Sequence, residues 1–261
     1  MSASDRPQSP FAGKFDFSAR PPLRTLAVGE IERQLAEHRL YLETEWRLGH
    51  RANFASTDLT GRDFSRHNLR GIKMDRALLK GADFTGAGLQ RANLIGTILE
   101  EARLDEADLS GARLSGANLV AASLQNTCLA KVEMEFALLA KAVLRHACLH
   151  GADLSGALLD DAELSRADLS EANLRGAGLR GARLDEADLR GARLGAAFLA
   201  GASLRNADLR GAYLRLASLD SADLSDADLR ATEGLTQAQI DRAHCNGGTR
   251  LPEGLTGARN A

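Results

Sequence analysis

The sequence predicts an all-β solenoid with short helical segments at its two ends, and three observations predict it. Every fifth residue from Phe54 to Leu229 is Leu, Phe or Met, 36 times without an insertion, deletion or exception. Two residues before nearly every one stands a small residue, usually Ala, as in Ala107-Asp108-Leu109-Ser110-Gly111. The position two after it is Gly 14 times, from Gly61 to Gly211. A strict five-residue period fits neither a helix of 3.6 residues per turn nor a plain two-residue strand. Each unit is therefore a very short extended segment plus a corner. One such unit buries nothing by itself, so stacking is obligatory.

The chain has 261 residues, and the repeat takes up most of them. We divide it into an extended or flexible N-terminal arm (1–24), a capping helix (25–50), the repeat body (51–231) and a C-terminal cap with a short helix and tail (232–261). The arm holds four of the five prolines together with Phe11, Phe15 and Phe17. Those aromatics either dock back on the folded body or form a linear motif for a partner. Ile31, Leu35, His38, Leu42 and Trp46 recur at three- and four-residue steps, which predicts one amphipathic helix over about 29–48 with Gly49 as its stop. Such a helix would close the open core at a solenoid end.

Within the repeat, alternation places the large residue and the small one two before it on the inside and the residue between them outside. Large Leu alternating with small Ala lets the interior fill without voids. The first stretch departs from this: Thr57, Arg62, His67 and Ile72 occupy the usual Ala position. Arg62 and His67 do not belong in a dry core, which suggests a terminal coil opened towards the helix. Thr97, Thr127 and Val132 are milder exceptions. After Leu229 the period fails at Gly234. Thr236 and Gln239 have capping-box spacing before a short helix at about 237–244, ended by Asn246-Gly247-Gly248.

The A-(D/N)-L-x-x pattern over about 180 residues resembles the pentapeptide-repeat proteins. That resemblance implies a right-handed quadrilateral parallel β-helix with four pentapeptides per turn. Here it would have about nine coils and a length of about 43 Å at one strand spacing per coil. The sequence carries its own sign of a 20-residue coil. Seven outward residues just before a centre are Leu, Ile, Val, Phe or Tyr, and five of them (Leu78, Ile98, Leu138, Leu158 and Phe198) are separated by multiples of 20.

Lys+Arg number 33 and Asp+Glu 35, a net charge of −2. That balance gives no electrostatic basis for direct nucleic-acid binding. No apolar run of membrane-spanning length and no signal segment at the start is evident, so no membrane insertion and a cytoplasmic location are expected. Cys128, Cys148 and Cys245 form no disulfide framework. No phosphate loop, paired-cysteine metal pattern or nucleophile elbow occurs, so neither an enzyme nor a cofactor is expected.

Three outward features remain. Leu78, Ile98, Leu138, Leu158 and Phe198, with Asn118 and Gly178 between them and Val120, Ala140 and Ala200 beside them, should form an apolar stripe. Such a stripe needs a cover: the arm with Phe11, Phe15 and Phe17, a protein partner, or a second copy in a homodimer. Cys128, His146, Cys148 and His150, all outward by alternation, are a weak candidate for a zinc or copper site against an ordinary surface. Asp108, Asp168, Asp188, Asp208 and Asp228 form a column with Arg190, Arg210 and Arg230 beside its last members, expected to be a solvated charged ladder. We therefore expect a non-catalytic scaffold or interaction module that presents a rigid rod to a protein partner. The family resemblance adds an alternative, since some quinolone-resistance members bind DNA gyrase by imitating duplex DNA and related immunity proteins protect gyrase from toxins. Such mimicry needs a strongly negative rod, whereas residues 52–231 carry 25 Asp+Glu against 22 Lys+Arg. Arg66, Arg70, Lys73, Arg76 and Lys80 even make its first turns basic.

Overall fold

A computed structural model describes residues 22–257. Phe11, Phe15 and Phe17 lie outside the described residues. Parallel bridges join each outward residue to the one 20 positions on, from Asn53 with Lys73 to Tyr213 with Glu233. Four five-residue units therefore make one turn, and the chain is a parallel β-solenoid with four columns of stacked units.

The backbone hydrogen bonds explain the repeat letter by letter. The amide of a centre donates to the next turn, as Leu79 N does to Ile98 O at 2.7 Å, and Ile98 N returns a bond to Ala77 O at 3.0 Å. The corner amide also points along the rod, as in Gly81 N to Glu100 O at 2.9 Å. The small residue closes a turn within the chain, Ala82 N donating to Leu79 O at 3.0 Å. One amide per unit is left over, that of the residue after the centre. Where Asp or Asn precedes the centre, its side chain accepts that amide: Thr85 N to Asp83 Oδ1 at 2.8 Å, Ser110 N to Asp108 Oδ1 at 2.9 Å, Ser225 N to Asp223 Oδ1 at 3.0 Å. The frequent Asp or Asn of the motif thus satisfies the last free donor of its unit.

Every one of the 36 corner residues has a left-handed φ, including the 22 that are not Gly. None of those 22 is Val, Ile or Thr, the residues that tolerate this conformation least. Inside, Leu and Ala fill a continuous core with almost no solvent exposure, and Phe64 stacks on Phe84 at 5.0 Å between centroids. Thr97 and Thr127 are buried in Ala positions because their hydroxyls donate to Leu94 O and Leu104 O. At the first turn Thr57 and Ile72 are buried, Arg62 is half-buried and His67 turns out to solvent, where its Nδ1 meets Ser65 O at 2.9 Å.

Helix α1 spans Val28–Glu43. Ile31 and His38 are buried, and Leu26 and Leu35 pack against the core. Arg24 pairs with Thr57, and Ala52 N donates to His38 Nδ1 at 3.3 Å. The helix ends at Glu43, five residues before the expected last residue, Leu48. Trp46 N donates to Tyr41 O and Glu45 N to Leu42 O, with Glu45 at φ 51°, a Schellman closure made without glycine. Trp46 therefore leaves the helical stripe and is 69% exposed.

Helix α2 is only Gln237–Ile240, with the expected Thr236–Gln239 capping box. It is shorter than expected because the following backbone joins the ladder: His244 pairs with Asp223 and Arg250 with Asp228. Gln239 Nε2 also donates to Leu214 O and to Ala217 O, the latter an acceptor for which the repeat supplies no further turn.

Candidate functional site

The outward columns differ in chemistry. One runs Asp58, Leu78, Ile98, Asn118, Leu138, Leu158, Gly178, Phe198, Ser218 through consecutive bridges, so the five apolar residues share one column. Leu78, Ile98 and Leu138 are half-buried, while Leu158 and Phe198 are 36% and 37% exposed. Leu158 leans along the rod: a Cβ on Gly178 would stand 3.2 Å from Leu158 Cδ2. Arg180 lies over Phe198, its guanidinium carbon 4.7 Å from the ring centroid, a cation–π contact. Asn118 interrupts the stripe and donates to Glu100 Oε1 at 2.6 Å. The rim is thus charged and mixed in sign, with Lys80 bridging Glu100 and Glu101.

Sorting outward residues by the position before the centre misses the corners. Phe136 is a corner residue beside Leu138, and its ring covers Gly156, where a Cβ would come within 2.7 Å of Cε1. Leu216, 77% exposed, is another corner, near Tyr213 at 43%. The sequence signal was present, since a large apolar residue in a corner otherwise held by small or polar ones is anomalous.

A second column runs Asn68, Gly88, Asp108, Cys128, Cys148, Asp168, Asp188, Asp208, Asp228. Cys128 and Cys148 pair directly across neighbouring turns, half-buried and unoxidised. Ser110 Oγ is 3.1 Å from Cys128 Sγ, and His150 Nδ1 is 3.0 Å from Ser170 Oγ. Burial pushes the Cys148 thiol up, and the Cys128 thiol adds to this. His146 is not brought together with these groups. It sits on a left-handed corner at φ 57°, turned to the side of Arg145, Arg166 and Glu186. Alternation fails as a guide there because a corner residue obeys no strand parity. Among the described residues, no group of three or more His, Cys, Asp or Glu side chains could hold a metal ion.

Lower in this column Arg190, Arg210 and Arg230 each fork onto the Asp two residues before, with Nη2 to Oδ2 distances of 2.6 Å. Those bonds hold the carboxyls of Asp188, Asp208 and Asp228 below the ordinary carboxylate range. A folded value below the unfolded one stabilises the fold above the unfolded value of about 3.9, and the contribution is lost as pH falls through the folded values. Thermal stability should therefore drop on acidification below about pH 4. Combined Arg190→Met, Arg210→Met and Arg230→Met should flatten that drop, as melting curves across pH would show.

These features define a class: a parallel β-solenoid of five-residue units whose distinguishing chemistry lies outside. Models of pentapeptide repeats match residues 52–90, 88–126, 117–156, 157–197 and 197–232. The chain belongs to the pentapeptide repeat family. Among solved structures it is similar to HetL, a pentapeptide repeat protein involved in heterocyst differentiation regulation from the cyanobacterium Nostoc sp. strain PCC 7120. The two are 32% identical over 85% of this chain and 98% of HetL, with a TM-score of 0.54. It is also similar to alr5209, a pentapeptide repeat protein from Nostoc PCC 7120, at 38% identity over 44% of this chain and 77% of that one, TM-score 0.34. QnrB1, a plasmid-mediated fluoroquinolone resistance protein, matches at 18% identity over 76% of this chain and 92% of that one, TM-score 0.43. Comparison with curated proteins finds no significant match. No helix among the described residues is long and apolar enough to cross a membrane.

Proposed function

We propose that the chain is a non-catalytic interaction module, a right-handed four-sided rod of nine coils with its two helical segments as caps. It works in the cytoplasm and offers the face of Leu78, Ile98, Leu138, Leu158 and Phe198 to a protein partner. The observation that carries this is that five large apolar side chains recur in one outward column, none of them closing a hydrogen bond of its own unit. The amides they leave after each centre, of Lys80, Glu100, Ala140, Asp160 and Ala200, have no protein acceptor among the described residues. Where Asp or Asn precedes the centre, its side chain closes that position. Repeated apolar side chains there gain nothing for the unit itself, and an apolar strip with a mixed-charge rim matches the anatomy of a protein contact surface. A regulatory role is in keeping with the similarity to HetL, which is involved in heterocyst differentiation regulation. Gyrase mimicry finds less support. Charge alternates in bands along the rod, with five acidic residues in 92–111, none in 112–131 and six in 152–171. A uniformly negative surface is missing.

The test uses a partner first trapped by a photo-crosslinker on this face and then purified. Leu138→Glu with Leu158→Glu should weaken its binding about 30-fold, the loss of about 2 kcal/mol typical of an interface hot spot. Ser170→Glu, beside the Cys/Asp column, should leave binding unchanged. Equal effects of the two variants would contradict the assignment, and sedimentation distinguishes a foreign partner from a second copy.

A further inference from the structure

We propose that Cys128 and Cys148 form a two-coordinate site for a soft monovalent d10 cation such as Cu(I). The two residues are direct partners in a parallel bridge, so their side chains leave neighbouring turns in the same direction. Neighbouring strands stand about 4.8 Å apart. Two metal–thiolate bonds of about 2.3 Å laid end to end span about 4.6 Å. A linear S–M–S unit therefore fits between the side chains with the backbone unmoved. A disulfide needs Cβ atoms about 3.8 Å apart, closer than parallel in-register side chains stand, and both thiols are free. Zinc needs four ligands in a tetrahedron, and among the described residues no third His, Cys, Asp or Glu converges with these two. The donor set thus selects against zinc by number and for a thiophilic d10 ion by softness.

The position is anomalous for the fold, which makes the pair more than two ordinary thiols. Asp108 precedes the pair and Asp168 follows it in the column, and each closes its unit by accepting the amide two residues on. The two cysteines replace that hard acceptor on consecutive turns. The surroundings leave an opening: both thiols are half-buried, Ser110 Oγ touches Cys128 Sγ at 3.1 Å, and the His150 ring is held aside by Ser170. Binding is balanced by release of one proton from each thiol to solvent, leaving two thiolates on one cation and no change of oxidation state.

The test is an anaerobic competition between the reduced full-length protein and the Cu(I) complex of bicinchoninate, read by loss of its colour. Wild type should withdraw one Cu(I) per chain. Cys128→Ser and Cys148→Ser should each lose about 100-fold or more in affinity, because either change removes the chelate. Cys245→Ser, whose thiol is buried at the far end, should bind as wild type does. Melting curves confirm that the serine variants keep the rod. Uptake that survives in both single variants, follows the total thiol count, or vanishes in Cys245→Ser overturns the site.

Discussion

Leu139→Ala should cost about 3–5 kcal/mol, near the top of the range for a buried leucine. Leu139 has no exposed surface and sits in the middle of the rod, flanked along its column by Leu119 and Leu159. The core is built from one large residue and one Ala per unit, all tied by inter-turn hydrogen bonds. Nothing in such a lattice can slide into a vacated volume, because each backbone position is fixed from above and below. The cavity remains, and its cost adds to the lost transfer energy. A solenoid's stability is a sum over neighbouring turns, so a lesion in the middle weakens two interfaces at once. Urea unfolding should show a lower midpoint for Leu139→Ala than for Leu224→Ala, which lies in the last repeat turn. Equal midpoints would mean that the rod unfolds without regard to position.

Gly156→Val is the second large effect, and it acts through the corner. Gly156 has φ +66°, and a Cβ there would lie 2.7 Å from Phe136 Cε1. The left-handed conformation alone costs about 1–2 kcal/mol for a residue with a Cβ. A β-branched side chain is worse placed, and the Phe136 ring must also move. The sum should exceed about 2 kcal/mol. The two causes separate in a double-mutant cycle: Phe136→Ala removes the collision and leaves the backbone strain. Gly156→Val should therefore cost less in the Phe136→Ala background, by a coupling of about 0.5–3 kcal/mol. Additive effects in chemical denaturation would show that the ring does not rest on Gly156.

The regular part of this molecule was legible because its order is local and repeated. The five-residue period marks the core, and the 20-residue spacing of five outward apolar residues anticipated the bridges that the structure shows. What sequence reasoning missed depends on contacts it does not encode. Helix α1 ends at Glu43 because Glu45 accepts a left-handed φ in a closure usually marked by glycine. Helix α2 stops at Ile240 because distant turns recruit His244 and Arg250. Phe136 escapes and His146 is misplaced for one reason: corners lie outside the alternation of a strand, so parity says nothing about where they point. The Asp or Asn of the motif closes the one amide that the ladder leaves free, a role that alternation of inward and outward positions does not reveal. That role turns the apolar column from a surface irregularity into a candidate contact.

The central claim is that this column meets a protein. A photoreactive amino acid placed at Leu138, compared with the same group at Ser170, tests it most directly in the cell of origin. Crosslinks to one discrete protein from position 138 and none from 170 are the expected result. Crosslinks from 170 alone, or from neither position, would contradict it.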